Sequence, residues 1–317
     1  MADLTLMGRR GELPTRQLKF SVIVPCFNAA KYIAATLRSL VQQEYKNLEV
    51  IIVDGGSTDT TLETAAAFTQ LDLKIISEPD RGQLDAFQKG LKAATGEVCY
   101  WLNADDIAMP SSFEYVNKIF LESPEIDLIF SDDFAFDEEL RKFVVGATIR
   151  GLTYLQHALF YRQMYSECVF WRSSRTKLLP ESYYHLRLCT DYAFFINLRC
   201  GLRVKWVPKR LGAFRMAAGQ ASKRYLDRLT PERQFIRQQI VSRHGWNSSE
   251  VRIRRIAVAP RFFLFQFLYP RINSGFRKIS RVLTRDAKRK AMTEEFFGNW
   301  LRRTSDSSII DTALLER

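Results

Sequence analysis

The chain has 317 residues, enough for one complete α/β domain with an extension, and its 46% hydrophobic content is typical of a soluble globular protein. Its five cysteines are scattered and odd in number, which indicates buried thiols of a reducing compartment, and its three histidines lack the spacing of a zinc site. The net charge of +12 is uneven, because residues 201–317 hold 26 Lys and Arg against 9 Asp and Glu while residues 1–200 carry a net −5.

Strands and helices alternate along the first hundred residues. Short apolar, β-branched runs predict strands at 20–25, 48–53, 73–76 and 98–102. Apolar residues at spacings of three and four predict helices between them, at about 30–41, 60–70 and 82–95. This alternation predicts an α/β fold with a mostly parallel sheet and helices on both faces.

Polar residues follow the fourth predicted strand directly, in the sequence Asn103-Ala104-Asp105-Asp106. Carboxylates at the carboxyl edge of an open α/β sheet supply the hard oxygen ligands that a divalent cation bridging a diphosphate needs. The alternative is a solvated turn, because Asn and Asp are common turn formers.

Three segments, 21–28, 50–60 and 78–106, resemble the N-terminal half of family 2 glycosyltransferases. The resemblance implies a GT-A fold with a Rossmann-like central sheet and an inverting transfer of a sugar from a nucleotide-diphosphate donor, by default a UDP-sugar. It implies a catalytic domain at 19–222, divided into a nucleotide-binding half (19–106) and an acceptor half (107–222). Residues 1–18 are then an N-terminal tail, and 223–317 a basic, aromatic-rich helical extension.

The same resemblance assigns roles to individual residues. Asp54 is assigned to the nucleoside, and its ionised carboxylate can accept from the imide N–H of a uracil ring, although a capping Asp is the alternative. Asp105 is the expected ligand of a Mn²⁺ or Mg²⁺ ion, with Asp106 beside it. The other residues expected to bind the nucleotide-sugar are Pro25, Phe27, Asn28, Arg81, Asn103 and Ala104. For Arg81, the alternative is a solvated surface side chain.

The chain departs from the common family pattern at three positions. Gly55 stands where a second Asp is usual, and Asn103 fills the first place of the Asp-X-Asp triplet. Ala217 stands where a His often lies two residues after Arg215, so no third protein ligand for the metal is expected there.

The expected catalytic base is Asp191, because Thr190-Asp191 resembles the acidic pair that the family carries at a helix N-terminus. A carboxylate opposite the leaving diphosphate can take the proton of the attacking acceptor hydroxyl. The alternative is an Asp that only caps its helix. Glu167 lies in a segment expected to face the donor sugar, where a plain sheet residue is the alternative.

The C-terminal third combines basic residues with an aromatic run at 256–270. The run is shorter than the roughly 18 residues of a membrane span and suits an interfacial segment on anionic lipid. A segment folded on the catalytic domain, or on the second subunit of a homodimer, explains it equally well. Residues 1–16 carry no secretory signal, so we expect a cytoplasmic protein, peripheral on the inner face of the membrane.

Two functions from different classes are compatible with the sequence. The first is a metal-dependent glycosyltransferase that acts on a glycan or a lipid-linked acceptor in polysaccharide or cell-envelope synthesis. The second is a catalytically inactive, basic binding module for membrane or polyanion, which the three departures favour. The presence of both Asp105 and Asp191 favours the enzyme, and the absence of a nucleic-acid motif argues against a specific nucleic-acid partner.

Overall fold

The computed structural model describes residues 16–132, 134–138, 142–145, 153–161, 163–217, 220 and 224–254. The aromatic run at 256–270 and most of the predicted N-terminal tail lie outside the described residues. The strands are β1 Phe20–Cys26, β2 Leu48–Asp54, β3 Asp72–Ser77, β4 Val98–Trp101, β5 Ile107–Ala108, β6 Leu128–Ser131, β7 Phe134–Asp137, β8 Lys142–Val145, β9 Val169–Arg172, β10 Val204–Val207 and β11 Gly212–Met216. The α-helices are α1 Ile33–Val41, α2 Thr61–Ala66, α3 Gln83–Ala93, α4 Ser112–Glu122, α5 Tyr154–Phe160, α6 Thr190–Leu198 and α7 Leu229–Arg243.

Among the described residues, seven strands form the central sheet, in the order β10-β6-β9-β4-β1-β2-β3. The four strands of the first half are parallel to one another, and β9 alone of this sheet pairs antiparallel, with β4 and β6. The parallel register aligns Cys26 with Asp54 and Asp54 with Ser77. The carboxyl ends of β1, β2 and β3 therefore meet at one edge, where an open α/β sheet binds its ligand.

The central strands bury side chains on both faces. On β1, Val22 and Val24 point into a core with α1 and α4, whereas Ile23 points into a second core with α3 and α6. Because each face is covered by helices, these strands are mainly apolar on both faces rather than alternating. The predicted mostly parallel sheet with helices on both faces is confirmed.

Helix α2 is shorter than the predicted 60–70, since it ends at Ala66. The chain turns there, with the N–H of Leu71 donating to the carbonyl of Phe68 at 3.2 Å. This turn packs the Phe68 and Leu71 side chains against the core that α1 also covers.

The segment at 103–106, which follows β4, is called the strand-end segment below. A smaller sheet of four described strands, in the order β5-β11-β7-β8, lies next to it. Its strand β11 pairs with β5, which begins directly after Asp106. This sheet therefore supports the segment that carries the predicted metal ligands.

Helix α7 lies beyond the predicted domain boundary at 222. Its Ile236 and Ile240 are buried in the same core as α3 and α6. The part of the chain that the structure describes contains no helix with the length and apolarity that crossing a membrane requires.

Candidate active site

The loops after β1 and β2 are joined by hydrogen bonds. The N–H of Asn28 donates to Ser57 Oγ at 2.7 Å, and Asn28 Oδ1 accepts from the N–H of Thr58 at 2.9 Å. Asn28 adopts a left-handed backbone conformation, with φ 49°, which Asn tolerates better than most residues. The loop leaves Phe27 62% exposed at its tip, although the strand before it is buried. An exposed aromatic ring beside a strand end offers a stacking surface for a planar ligand.

Asp54 is completely buried at the end of β2, and its own turn surrounds its carboxylate. It accepts from the N–H groups of Gly56 and Ser57, from the Ser57 hydroxyl, and from Ser77 Oγ at 2.8 Å. Burial raises the pKa of Asp54, but these hydrogen bonds outweigh it and leave the pKa lowered. The carboxylate thus fixes the loop that the sequence assigns to the nucleoside, and its predicted bond to the base stays a prediction.

Gly55 lies against the carboxylate of Asp80, which follows β3. A Cβ atom on residue 55 would meet Asp80 Oδ2 and lie 3.0 Å from Asp80 Cγ. The other oxygen, Oδ1, accepts from the N–H of Gly82 at 2.7 Å. A second Asp at position 55, the residue usual in the family, would therefore compete with Asp80 for the same space.

Arg81 forms a two-pronged ion pair with Glu181 of the predicted acceptor half. The two N···O distances are 2.8 and 3.1 Å, and the guanidinium lies 4.3 Å from the centroid of the Tyr184 ring. The hydrogen bonds from Arg81 lower the pKa of Glu181. Both side chains are largely exposed, and exposed ion pairs contribute little stability. The contact between Arg81 and the diphosphate stays a prediction.

The strand-end residues differ in accessibility. Asp106 is completely buried, and its two oxygens accept from the N–H of Arg215 and from Asn103 Nδ2, each at 3.0 Å. Burial and the neighbouring Asp105 raise the pKa of Asp106 well above its usual value. Ala104 is also buried, and its carbonyl accepts from Thr36 Oγ1 at 2.8 Å.

Asp105 is the accessible member of the pair. Its Oδ2 accepts from Gln220 Nε2 at 3.0 Å, and its Oδ1 has no donor among the residues that the structure describes. Within the same described ranges, no three His, Cys, Asp or Glu side chains are grouped so that they could hold a metal ion by themselves. One free carboxylate oxygen fits a cation that takes its remaining ligands from a diphosphate and water, as Mg²⁺ commonly does.

Arg215 holds the strand-end segment in place, a role that the sequence analysis missed. It is 2% exposed, and its Nε donates to the carbonyl of Asp105 at 2.9 Å while its Nη1 donates to Glu138 at 3.2 Å. An Arg inside an otherwise apolar strand is the signal that could have revealed it, because buried cations are paired.

Asp191 lies in the first turn of α6, partly buried. Its Oδ2 accepts from Gln163 Nε2 at 2.6 Å, and its Oδ1 accepts from the N–H of Tyr192 at 2.7 Å. Burial raises the pKa of Asp191 to about 6, although these two hydrogen bonds oppose the rise. The residue that caps α6 is Cys189, whose side chain makes no capping bond. A carboxylate with a pKa near neutrality suits a general base.

A single carboxylate from α7 anchors the segment that leads to Asp191. Glu232, 5% exposed, accepts from three consecutive N–H groups, those of Arg187, Leu188 and Cys189, at 2.8 to 2.9 Å. The sequence analysis did not identify Glu232, since it lies in the predicted extension. Glu167, by contrast, is buried in a short 3-10 helix before β9 rather than in the strand itself.

The Gln83 side chain connects the strand-end segment, which carries Asp105 and Asp106, to the start of α6, which carries Asp191. Its Nε2 donates to Asn103 Oδ1 at 2.9 Å, and its Oε1 accepts from the Thr190 hydroxyl at 2.5 Å. Since Asn103 contacts Asp106 and Thr190 precedes Asp191, the structure brings the predicted base and the predicted strand-end site together.

Comparison with known proteins relates this chain to glycosyltransferases. The sequence model of glycosyl transferase family 2 matches residues 21–178. A PGL/p-HBAD biosynthesis glycosyltransferase of Mycobacterium tuberculosis is 30% identical over 185 residues, which are 57% of this chain and 69% of the relative. An uncharacterised glycosyltransferase of Nostoc sp. is 33% identical over 133 residues, which are 38% of this chain and only 40% of that protein.

Solved structures share the fold at lower identity. Residues 1–349 of S. aureus TarS, in complex with UDP-GlcNAc, superpose with a TM-score of 0.55 at 24% identity, over 65% of this chain and 61% of that TarS fragment. The mannosyltransferase PcManGT of Pyrobaculum calidifontis, in complex with GDP-Man and Mn²⁺, gives a TM-score of 0.50 at 17% identity, over 84% of this chain and 81% of that protein. The chain has the GT-A fold and belongs to glycosyl transferase family 2.

Proposed function

We propose that this protein is an inverting, metal-dependent glycosyltransferase that moves a sugar from a nucleoside-diphosphate donor, by default a UDP-sugar, to a hydroxyl of a glycan or lipid-linked acceptor. The observation that carries the proposal is the joint position of Asp191 and the strand-end residues. Gln83 links the residue before Asp191 to Asn103, whose amide contacts Asp106. One site thus offers a proton acceptor and a free carboxylate oxygen on Asp105.

In this proposal the nucleoside binds over the loops after β1 and β2. Phe27 stacks on the base from its exposed position, and Asp54 and Asn28 hold the loop that surrounds it. Two solved structures with the same fold support such a donor, since TarS is in complex with UDP-GlcNAc and PcManGT with GDP-Man.

The reaction is a direct displacement at the anomeric carbon. The acceptor oxygen forms the new bond to that carbon, and the bond to the diphosphate oxygen breaks, so its electron pair leaves with the diphosphate. Asp191 takes the proton of the attacking hydroxyl, which a carboxylate with a pKa of about 6 does well near neutral pH.

Asp105 would hold a Mn²⁺ or Mg²⁺ ion through its free Oδ1. Such an ion supplies neutralisation of the charge that develops on the leaving diphosphate. Asp106 would support the strand-end segment next to the ion, because both of its oxygens already accept hydrogen bonds, from Asn103 Nδ2 and from the N–H of Arg215.

The decisive experiment measures nucleoside diphosphate release from a panel of UDP-, GDP- and dTDP-sugars with Mn²⁺ or Mg²⁺. Wild type should release nucleoside diphosphate from one class of donor in this panel. Asp105→Asn should lose the metal-stimulated rate of release while its thermal unfolding midpoint stays close to that of wild type. Glu122→Gln is a matched surface control and should keep full activity, because Glu122 is largely exposed and forms its ion pair with Lys118 on the same helix. No release and no nucleotide binding by calorimetry would favour the inactive binding module instead.

We also propose that the enzyme works peripherally at the cytoplasmic face of a membrane. The support is the net +17 of residues 201–317, since cations near the headgroups favour anionic lipid. We expect the full chain to co-sediment with phosphatidylserine vesicles, to lose this binding in about 0.5 M salt, and not to bind phosphatidylcholine alone. Equal sedimentation with both lipids would contradict an electrostatic attachment.

A further inference from the structure

Two positions at which this chain replaces an acidic residue of the family pattern by a neutral one share a single partner. Asn103 stands in the first place of the Asp-X-Asp triplet, and Thr190 stands in the first place of the acidic pair that the family carries at the N-terminus of this helix. Both side chains bond to Gln83, which begins α3. The two departures are therefore one feature of the site.

The Trp101 indole fixes the orientation of the Asn103 and Gln83 amides, because its N–H can only donate a hydrogen bond. Trp101 Nε1 is an N–H donor only, and it donates to Asn103 Oδ1 at 2.9 Å. The Asn103 oxygen must therefore face Trp101, and its Nδ2 must face Asp106 at 3.0 Å and Ser166 Oγ at 3.2 Å. Gln83 consequently presents its NH₂ group to Asn103 and its oxygen to the Thr190 hydroxyl.

Acidic residues would break this arrangement. A carboxylate at position 103 would place a second acidic group beside Asp106, whose oxygen lies 3.0 Å from Asn103 Nδ2, so the two groups would have to share a proton. A carboxylate at position 190 would have no proton to donate to the oxygen of Gln83. The neutral pair preserves a continuous chain of donors and acceptors from Asp106 to the residue that precedes Asp191.

We propose that Gln83 is a positioning residue that sets the distance between the catalytic base on α6 and the donor site at the end of β4. This inference rests on the proposed function. Helix α6 begins at Thr190, so a bond to the Thr190 hydroxyl holds the turn that carries Asp191. A bond to Asn103 holds the same Gln83 against the segment that carries Asp105. Loss of Gln83 disturbs the relative placement of the two carboxylates without removing either one.

The test compares Gln83→Met, Thr190→Val and the double variant in the full-length protein. The measured quantities are kcat for nucleoside diphosphate release from the donor that wild type uses fastest, and the Kd of the matching nucleoside diphosphate with Mn²⁺ by calorimetry. Gln83→Met should lower kcat roughly 10- to 100-fold, because misplaced reacting groups lose most of the advantage of orientation, while Kd changes less than about twofold. Thr190→Val should lower kcat when it is introduced alone. It should have little further effect in the Gln83→Met background, since each substitution removes the bond between Gln83 and the Thr190 hydroxyl.

Gln88→Met is the control, because Gln88 lies on the same helix and is likewise hydrogen-bonded, to the Leu179 carbonyl and the Tyr184 hydroxyl, although Gln88 is buried and Gln83 is exposed. It should lower the unfolding midpoint at least as much as Gln83→Met and leave kcat near wild type. Equal losses of kcat in Gln83→Met and Gln88→Met, or additive effects of Gln83→Met and Thr190→Val, would overturn the positioning role. If wild type neither binds nucleotide nor releases it, the proposed function fails instead, and this outcome is distinct from unchanged kcat in an active Gln83→Met.

Discussion

The carboxylate of Asp80 fills the space in which a side chain on residue 55 would begin, so Gly55 and Asp80 depend on each other. Asp80 cannot move away freely, because its Oδ1 accepts from the N–H of Gly82 at 2.7 Å. The absence of a second Asp after β2 is thus matched by a carboxylate that arrives from the loop after β3.

Gly55→Ala should therefore lower the free energy of unfolding by about 1–3 kcal/mol, the usual range for overpacking a filled site. In an Asp80→Ala background the same substitution should cost much less, since the obstructing carboxylate is gone. Urea unfolding of the four proteins measures this coupling. Gly201→Ala is the control, because Gly201 has φ +80° with open space around it, so its strain should be the same in both backgrounds. Strict additivity of Gly55→Ala and Asp80→Ala would refute the packing argument.

Asp191 should set the acid limb of the pH–rate profile. The base acts in its ionised form, and burial raises its pKa to about 6, so kcat should rise with pH through about 6 and level off above it. Asp191→Asn should lower kcat on the order of 10²- to 10⁴-fold with nucleotide affinity unchanged.

Gln163→Leu refines that experiment. The Gln163 amide favours the ionised carboxylate, so its removal should move the acid limb to higher pH and leave the plateau rate largely intact. Near-normal kcat in Asp191→Asn would sink the assignment, and an unmoved limb in Gln163→Leu would point to another titrating group.

Glu49 should stabilise the fold above pH 4.5 and make it sensitive to acid. It lies 8% exposed at the opposite edge of the sheet and accepts from Ser21, from the N–H of Thr95 and from Lys19. Burial raises its pKa, but these bonds outweigh burial and lower the pKa from 4.5 to about 2. The resulting stability is present above pH 4.5 and is lost as the pH falls towards 2, because the unfolded chain then binds the proton first.

Glu49→Gln should consequently cost at most about 3 kcal/mol at pH 7 and unfold with a weaker pH dependence below 4.5. Urea unfolding at several pH values tests this. Glu97→Gln serves as the comparison, since Glu97 pairs with Arg16 at an exposed position and should contribute far less. A wild-type pH dependence in Glu49→Gln would show that other carboxylates govern acid unfolding.

Glu232→Gln should weaken both the fold and the reaction. A glutamine retains one oxygen but turns an NH₂ group towards the N–H groups of Arg187, Leu188 and Cys189, so at least one of the three bonds is lost. We expect a loss of about 1–3 kcal/mol in unfolding free energy and a lower kcat at unchanged nucleotide affinity. Glu250→Gln, which alters an exposed bond to Asn247, is the control. A stability loss with fully normal kcat would limit Glu232 to a structural role.

Much of the fold follows from local sequence pattern. The runs around Val22 to Val24 and Val50 to Val53 are apolar on both faces, and such runs between amphipathic segments specify buried parallel strands. The helix after β2 was predicted too long, because the contact of Phe68 and Leu71 with the core depends on tertiary packing.

The side chains that orient the site residues make contacts between segments that are far apart in the sequence. Gln83 and Thr190 are 107 residues apart, and Glu232 reaches back 43 to 45 residues to its three N–H partners. Bonds of this kind leave no periodicity in the sequence, so the carboxylates could be named from their motifs while the side chains that orient them could not.

The anchoring of the segment before Asp191 by α7 bears on how the chain can be divided. The match to the family ends at residue 178, and Glu232, Ile236 and Ile240 all lie beyond it. A fragment cut at residue 222 would keep Asp54, Asp105 and Asp191 and yet lose the carboxylate that holds the turn in front of Asp191. Chimeras that exchange acceptor specificity between relatives should therefore place their junction after Arg243, where α7 ends.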